Sequence, residues 1–149
     1  MKICLISSAG GHLSQMLQLE KLWKKYDCFY VTEKREISKD LTKKFKTYFI
    51  KDPGRNLFRF CLSLFQTFSI FLKERPDIII TTGAGIAVPM GYIGRLFGKK
   101  IIFIESLSRV KNPSITGKFL YPMSNLFLVQ WKFLLEKYGK RAKYGGRVF

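Results

Sequence analysis

Short apolar runs alternate with helical patterns along the whole chain, and this alternation limits the fold more than any other feature. Two runs, Asp77–Thr82 and Lys100–Glu105, are apolar through their centres, which is typical of central strands covered on both faces. The alternation predicts βα units on a parallel sheet, and hence an α/β, Rossmann-like fold with helices on both faces. The predicted strands are Lys2–Ser7, Cys28–Thr32, Thr47–Lys51, Asp77–Thr82, Lys100–Glu105 and Asn125–Val129.

The first helix is predicted over His12–Tyr26, because apolar residues recur there on one face of a helix. Another helical pattern runs from Ile86 to Phe97. The chain has 149 residues and contains no repeat, low-complexity tract or linker, so residues 1–149 are predicted to form a single domain. The predicted apolar face of the first helix consists of Met16, Leu19, Leu22, Trp23 and Tyr26.

The segment Leu57–Leu72 is the most apolar part of the chain, with 11 apolar residues among its 16. It is too short, and with Arg59 too charged, to span a bilayer, which requires about 20 apolar residues. Its polar residues form a narrow helical stripe: Asn56, Arg59, Ser63, Gln66 and Lys73. Two interpretations remain open, a core helix and a helix in a membrane interface with Phe58, Phe65 and Phe68 inserted.

Positive charge is in large excess, since the chain has 27 Lys and Arg residues but only 10 Asp and Glu residues, which gives a net charge of +17. The excess is spread as +5, +5 and +7 over residues 1–50, 51–100 and 101–149. Such charge favours a polyanionic partner: nucleic acid, an anionic membrane surface or a phosphorylated ligand. Because the aromatic residues lie in apolar runs and not between basic residues, no nucleic acid partner is predicted.

The first residues and the cysteines indicate a reducing, cytoplasmic environment. The apolar stretch at the start is far too short for a secretory signal, because Gly10-Gly11-His12 follows it at once. Cys4, Cys28 and Cys61 are odd in number and have no CxxC spacing, so free thiols are expected.

Three predicted strands are followed by residues suited to a ligand site. Gly10 and Gly11 come after the first strand and lead directly into a helix, where backbone N–H groups and the positive helix end can approach a phosphate. Gly83, Ala84 and Gly85 follow the fourth strand, and Glu105 with Ser106 ends the fifth. In a parallel sheet these loops meet at the carboxyl edge, where ligands bind. The spacing matches neither GxGxxG nor Walker A, which disfavours NAD and ATP sites.

His12 and Glu105 are the candidate catalytic residues. His12 is the single histidine and opens a helix beside two glycines, so a packing role and a catalytic or ligand-binding role are both open. Glu105 is either a satisfied strand-end acid or a working carboxylate, with Arg109 as a possible ion-pair partner. Ser114 lies in a polar loop that either holds phosphate oxygens or simply caps a helix. One histidine with scattered acids forms no metal-ligand pattern, so no metal is predicted.

Taken together, these motifs resemble those of a known family over nearly the whole chain. SSAGGHLSQM (residues 7–16), TTGAGIAVP (81–89) and FIESLSRVKNPSITGK (103–118) look like the small accessory subunit of split bacterial polysaccharide glycosyltransferases. That subunit is related to the membrane-anchoring subunit of the eukaryotic two-part UDP-N-acetylglucosamine transferase that acts on dolichol-linked sugar. More remotely, the chain resembles the N-terminal half of the lipid II-forming glycosyltransferase of peptidoglycan synthesis.

The resemblance implies the N-terminal half of a GT-B glycosyltransferase, with the acceptor bound at the carboxyl edge of the sheet. It implies that the general base is either His12 or a residue of the partner subunit, and that Glu105 belongs to the same catalytic site. The implied acceptor-binding residues are Gly10, Gly11, Gly83, Ala84, Gly85, Ser106, Arg109 and Ser114.

The resemblance also implies partners. A polyprenyl-diphosphate-linked sugar would be the acceptor, in capsular or exopolysaccharide repeat-unit synthesis, and a separate subunit would bind the UDP-sugar donor. No cofactor is expected in this chain, which would be inactive alone because the donor half is missing. Residues 139–149 are predicted to dock on that partner.

Attachment to the inner face of the cell membrane is expected to be peripheral, because the chain does not begin with the membrane-spanning helix of the eukaryotic subunit. It would rest on Leu57–Leu72 and on the basic surface. A non-catalytic membrane scaffold that only stabilises the transferase subunit is the alternative interpretation.

Overall fold

The computed structural model describes residues 1–51, 57–146 and 148–149, and for Leu57 only the backbone. In this part of the chain, seven strands form one sheet whose neighbouring strands are all parallel. The strands are β1 (Lys2–Ser7), β2 (Asp27–Thr32), β3 (Lys46–Phe49), β4 (Ile78–Gly83), β5 (Lys100–Ile104), β6 (Leu126–Leu128) and β7 (Ala142–Lys143). Their order across the sheet is β3-β2-β1-β4-β5-β6-β7.

Helices cover both faces of the sheet, as the sequence predicts. They are α1 (Gly11–Gln18), α2 (Glu20–Trp23), α3 (Glu36–Lys39), α4 (Leu57–Glu74), α5 (Ala87–Leu96), α6 (Ile115–Leu120) and α7 (Phe133–Tyr138), with a 3-10 helix at Asp40–Lys43. Side chains of alternating strand residues enter two separate cores. Cys4 and Ile6 of β1 pack on the α4–α5 side, whereas Ile3 and Leu5 pack on the α1 side. This is the Rossmann-like architecture expected from the alternating apolar runs.

The strand order fixes where a ligand can bind. From β1 the chain builds the sheet outward to β3, and then it returns to place β4 on the other side of β1. The crevice outside the carboxyl ends of β1 and β4 is therefore the switch point at which doubly wound folds bind ligands. Since β5 lies next to β4, the loops after β1, β4 and β5 are neighbours at this edge.

The predicted helix over His12–Tyr26 is wrong in its length. The helix stops after Gln18, and Leu19 turns the chain with φ −91° and ψ 9° before the single turn of α2. This turn brings Trp23 into the core on the α1 side, while Leu22 and Tyr26 remain exposed. The apolar face inferred from a straight helix is therefore divided, because local packing of Leu19 and Trp23 prevails over the helical period.

The long helix α4 is oriented differently from its sequence pattern. Ser63, a member of the predicted polar stripe, is fully buried together with Thr67. Phe58 and Phe65 are instead 78% and 73% exposed. Small side chains let α4 pack closely on the body of the protein, which explains why Ser63 and Thr67 lie inside while Phe58 and Phe65 lie outside.

Glu74, at the end of α4, joins three elements at the amino edge of the sheet. Its carboxylate lies 3.1 Å from Lys2 Nζ and 2.6 Å from Lys46 Nζ, and it accepts a hydrogen bond from the Tyr48 hydroxyl. Burial opposes ionisation of Glu74, but the hydrogen bonds from Lys46, Tyr48 and Lys2 outweigh it and lower its pKa to about 2. The cluster therefore joins β1, β3 and α4 at the edge opposite the candidate site.

The predicted docking tail, residues 139–149, begins within the sheet. Ala142–Lys143 forms the edge strand β7, which pairs with β6 and which the sequence did not predict. Beyond the strand, the Val148 amide donates to Gln130 Oε1 at 2.9 Å. Docking of residues 139–149 on another protein stays a prediction.

Candidate functional site

The turn between β1 and α1 leaves open space in front of a helix N-terminus. Gly10 has φ +120°, a backbone conformation that disfavours any residue with a side chain. A Cβ atom at Gly10 or Gly11 would meet no atom within 4 Å, so the space beside this turn is empty. Backbone N–H groups at the start of α1 favour an anionic ligand. The turn predicted from the sequence therefore leaves room for a ligand in front of α1, and phosphate binding there stays a prediction.

His12 is held by a reciprocal pair of hydrogen bonds to Thr82, the residue before the turn that follows β4. His12 Nδ1 lies 2.7 Å from the Thr82 carbonyl oxygen, and Thr82 Oγ1 donates to the His12 carbonyl oxygen at 2.9 Å. Because a carbonyl oxygen only accepts, Nδ1 must carry the proton in this pair. The lone pair of the neutral ring is therefore on Nε2, which is the form a general base requires.

The surroundings of His12 favour its neutral form. Burial of the half-buried ring lowers its pKa below the ordinary value of 6.5, and the positive charge of Arg109 acts in the same direction. The Thr82 carbonyl and the Glu105 carboxylate act in the opposite direction, but burial prevails. At neutral pH the imidazole is thus uncharged and can accept a proton.

The backbone is strained where β4 ends and the next turn begins, and Gly83 there lies against the His12 ring. Gly83 has φ +108°, and Ala84 has φ +91°, which is costly for a residue with a Cβ atom. A Cβ atom on Gly83 would lie 3.2 Å from His12 Cε1, so a glycine at this position lets the ring approach the backbone. Gly85 is exposed, and its carbonyl accepts from Val88 at the start of α5. Strain of this kind persists where the surrounding structure enforces it, as at ligand sites.

Glu105 is fully buried, and its two carboxylate oxygens accept four hydrogen bonds from its own chain. Oε1 accepts from the Ser106 amide at 2.9 Å. Oε2 accepts from the Ser114 amide at 3.2 Å, from Ser114 Oγ at 2.9 Å and from the Tyr138 hydroxyl. The carboxylate thus joins the end of β5, the start of α6 and the end of α7. This geometry favours a positioning role, and direct catalysis by Glu105 stays a prediction.

The loop after β5 differs from its sequence interpretation at Arg109. Among the described residues, Glu105 forms its hydrogen bonds with hydroxyl and amide groups, and the expected ion pair with Arg109 is not formed. Arg109 is exposed, and its charge acts on His12. Ser114 is the N-cap of α6, where its Oγ also accepts from the Gly117 amide at 2.9 Å. The capping alternative for Ser114 thus describes its observed contacts.

Three residues of the site region were not predicted from the sequence. Thr82 fixes the His12 tautomer, Tyr138 donates to Glu105, and Trp131 donates its Nε1 proton to the Leu107 carbonyl at 2.8 Å. Thr82 precedes the Gly83 turn, so its position at the end of an apolar strand was an available signal. Tyr138 and Trp131 come from distant elements, and no local pattern indicates their partners.

The three phenylalanines predicted to contact a membrane are exposed on one side of the molecule. Phe58, Phe65 and Phe68 of α4 are 78%, 73% and 40% exposed. A shallow apolar groove of about 350 Å³ between α4 and α5 is lined by Cys61, Leu64, Phe65, Phe68 and Ile93. A search of the described residues finds no helix with the length and apolar character needed to cross a membrane. Over the same residues, no group of three or more His, Cys, Asp or Glu side chains is arranged to hold a metal ion.

Comparison with known families decides where the chain belongs. Residues 53–148 match the family model described as "Oligosaccharide biosynthesis protein Alg14 like", which is more than half of the chain. The chain belongs to the Alg14-like family. The Alg14-like region includes the turn after β4, the Glu105 cluster and α4, and it begins after the β1–α1 turn that carries His12.

Relatives of this Alg14-like chain include eukaryotic proteins that share one name. "UDP-N-acetylglucosamine transferase subunit ALG14" of Candida albicans is 42% identical over a stretch covering 50% of this chain and 36% of that protein. The mouse protein of that name is 28% identical, with 99% of this chain and 83% of the mouse protein covered. The chain thus spans only about a third of the length of the Candida relative.

Solved structures with this fold include glycosyltransferase-related enzymes. MurG from Acinetobacter baumannii superimposes with a TM-score of 0.77 at 14% sequence identity. The match covers 96% of this chain and 45% of the MurG chain. At this identity the likeness shows the fold alone, and it confirms the predicted Rossmann-like half of a GT-B glycosyltransferase.

Proposed function

We propose that this Alg14-like chain is the acceptor-side subunit of a two-part glycosyltransferase. It binds a polyprenyl-diphosphate-linked sugar at the cytoplasmic face of the membrane and recruits or activates a separate subunit that binds the UDP-sugar. Membership of the Alg14-like family and the printed name of the relatives, a transferase subunit, support this assignment. The fold supports it too, since the chain matches slightly less than half of MurG.

The observation that carries the proposal is the geometry of His12 beside an open glycine turn. The Thr82 carbonyl keeps the proton on Nδ1, so the lone pair of the neutral ring is on Nε2. In the proposed reaction the oxygen of the acceptor hydroxyl attacks the anomeric carbon of the donor, and His12 Nε2 takes the proton of that hydroxyl. The bond from that carbon to UDP breaks, and UDP leaves with the electron pair. The backbone amides at the start of α1 bind the acceptor diphosphate.

The membrane contact of this subunit is proposed to be peripheral and to use α4. Phe65 and Phe68 lie on the exposed side of the helix, where aromatic side chains can enter the interface of a bilayer. Basic residues near the same side, Arg75 and Lys99, border a second shallow cavity of about 350 Å³ with Phe97. Apolar and basic groups side by side match a membrane whose surface is anionic.

The donor subunit and the biological product are proposed from the sequence motifs. Residues 139–149 are the proposed contact with the donor subunit, because β7 lies at the edge of the sheet. Synthesis of capsular or exopolysaccharide repeat units is the proposed context, since the three sequence motifs resemble those of split bacterial polysaccharide transferases.

The test is transfer of labelled sugar from UDP-sugars to a lipid extract. Three reactions are compared: this chain alone, the protein encoded beside it alone, and both together. Activity that requires both chains is expected. Full activity of the neighbouring protein alone would reduce this chain to an anchor, and activity of this chain alone would refute the two-part assignment.

A non-catalytic scaffold is the second candidate. The four hydrogen bonds that Glu105 accepts within the chain are compatible with a scaffold. They stabilise the fold and do not require a catalytic role for the carboxylate. The scaffold predicts that substitution of His12 leaves transfer by the assembled pair unchanged, whereas the acceptor-side subunit predicts a large loss.

A further inference from the structure

A basic cavity lies at the carboxyl ends of β2 and β3, beside the first turns of α4. Its volume is about 530 Å³, and its lining residues are Glu33, Lys34, Arg35, Ile50, Lys51, Phe58, Arg59 and Leu62. Ile50 belongs to the core on the α4–α5 side of the sheet, whereas α1 with His12 packs on the other side. No residue of the candidate acceptor site lines this cavity.

The charge of the cavity favours an anion. Among the lining residues that the structure describes, four are cationic and one is acidic, which is an excess of three positive charges. The acid, Glu33, is buried and lies 3.2 Å through Oε2 from Arg35 Nη2, so its charge is already compensated. Lys34 and Lys51 are exposed at the mouth. Lysine and arginine side chains that line one cavity favour phosphate oxygens.

The cavity also continues into an apolar surface. Phe58, one of its lining residues, is 78% exposed and belongs to the same helix as Phe65 and Phe68. A ligand that fits both the basic cavity and the apolar surface of α4 contains a phosphate group beside a hydrocarbon chain. We propose that this cavity binds the phosphate of an anionic membrane phospholipid while the phenylalanines of α4 enter the adjoining interface. This rests on the proposed function in that the protein works at a membrane surface.

The site orients the protein on the membrane. Because helices run antiparallel to the strands in βα units, the start of α4 lies at the same edge of the sheet as the His12 turn. A lipid phosphate held between β2, β3 and α4 turns this edge toward the bilayer. The diphosphate of a lipid-linked acceptor then reaches the Gly10–Gly11 turn from the same membrane.

The experiment is sedimentation of the full chain with vesicles. Vesicles of phosphatidylcholine alone are compared with vesicles that also contain phosphatidylglycerol. The variant K34Q/K51Q is expected to bind the anionic vesicles about twenty-five-fold more weakly, since each basic side chain near an anionic surface contributes about five-fold. The matched control is K21Q/K24Q, which removes the same charge from exposed residues of α2 and its C-cap on the α1 side. All four lysines are exposed, so thermal melting should show that both variants fold.

Two results would overturn the proposal. Equal weakening by K34Q/K51Q and K21Q/K24Q would mean diffuse attraction of a basic protein and no defined site. Binding of inorganic phosphate that requires Lys34 and Lys51, with vesicle binding unchanged in K34Q/K51Q, would make the cavity a site for soluble phosphate. The measurement contains neither sugar nor partner subunit, so its failure is distinguishable from failure of the transfer assay.

Discussion

At the scale of single residues, the candidate site depends on which nitrogen of His12 carries the proton. The Thr82 carbonyl decides this, and the Thr82 hydroxyl returns a bond to the His12 backbone. The ring is thus fixed relative to β4 before any ligand binds, which is the preorganisation that a general base needs. Burial, with the charge of Arg109 acting in the same direction, lowers the pKa of His12 and keeps the ring neutral at neutral pH.

Substitution of His12 tests this arrangement directly. In the assembled two-subunit enzyme, His12→Gln should lower kcat/KM about 100- to 10,000-fold, the usual contribution of a general base. The wild-type rate should rise with pH and level off, with a midpoint below 6.5, because burial lowers the pKa of His12 and only the neutral ring accepts a proton. Kinetics over pH provide the check, with co-purification of the subunits as the control. Unchanged kcat/KM in His12→Gln would leave the scaffold as the better interpretation.

The Tyr138 hydroxyl provides a second test at this scale. It donates to the buried Glu105, and burial, together with the hydrogen bond to Glu105, raises the pKa of Tyr138 so that it keeps its proton. Tyr138→Phe should lower the free energy of unfolding by about 2 kcal/mol, because a buried carboxylate loses a donor. Tyr144→Phe, at a far more exposed tyrosine, should change it little. Urea unfolding of both variants makes the comparison, and equal effects would contradict a structural role for the Tyr138–Glu105 bond.

At the scale of elements, the central strands could be predicted from the sequence and the helices only in part. β4 and β5 are apolar on both faces, and this pattern has no other simple explanation in a βα chain. The polar stripe predicted for α4 was wrong at Ser63, which is buried, whereas Phe58, Phe65 and Phe68 are exposed, as the membrane-interface interpretation expects. The short strand β7 has only two residues, too few to produce any pattern.

The candidate site could likewise be predicted from the sequence only in part. Gly10, Gly11 and His12 were predictable because they follow a strand at an edge where parallel sheets bind ligands. The partners of Glu105 were not, because Ser114 and Tyr138 are 9 and 33 residues away along the chain and meet it only through packing. Local pattern identifies a strand end, and tertiary packing decides which side chains complete it.

The packing of α5 on the sheet can be tested through Gly94. A Cβ atom at this position would overlap Cδ1 of Ile79, a fully buried residue of β4. Gly94→Ala should therefore destabilise the protein, since overpacking costs about 1–3 kcal/mol and outweighs the better helix propensity of alanine, worth up to about 1 kcal/mol. In the background of Ile79→Val, which lacks Cδ1, the same substitution should be neutral or stabilising. A double-mutant cycle in urea measures the coupling, and an equal cost in both backgrounds would contradict the close contact.

At the scale of the whole molecule, the sheet has two edges with different functions. The carboxyl edge carries the glycine turns, His12 and the basic cavity, with open space beside Gly10 and Gly11. The amino edge carries the Glu74 cluster, which closes the structure by joining the first strand, the edge strand β3 and the longest helix. The carboxyl edge thus carries the strained backbone at Gly83 and Ala84 and the basic cavity, whereas at the amino edge the charge of Glu74 is compensated by lysines.

The Glu74 cluster predicts how the stability of the molecule depends on pH. The pKa of Glu74 is about 2 in the folded protein against an ordinary 4.5, so its stabilising effect is complete above about pH 4.5 and is lost as pH falls toward 2. At neutral pH, Glu74→Gln should lower the free energy of unfolding by about 2 kcal/mol, because charged hydrogen bonds to two lysines are lost. Urea unfolding at several pH values should show this gap closing on acidification, since wild-type Glu74 then becomes neutral like glutamine. Asp40→Asn, at an exposed carboxylate paired with Lys43, should have little effect at any pH. A gap between wild type and Glu74→Gln that stays constant down to pH 2 would contradict the ionised cluster.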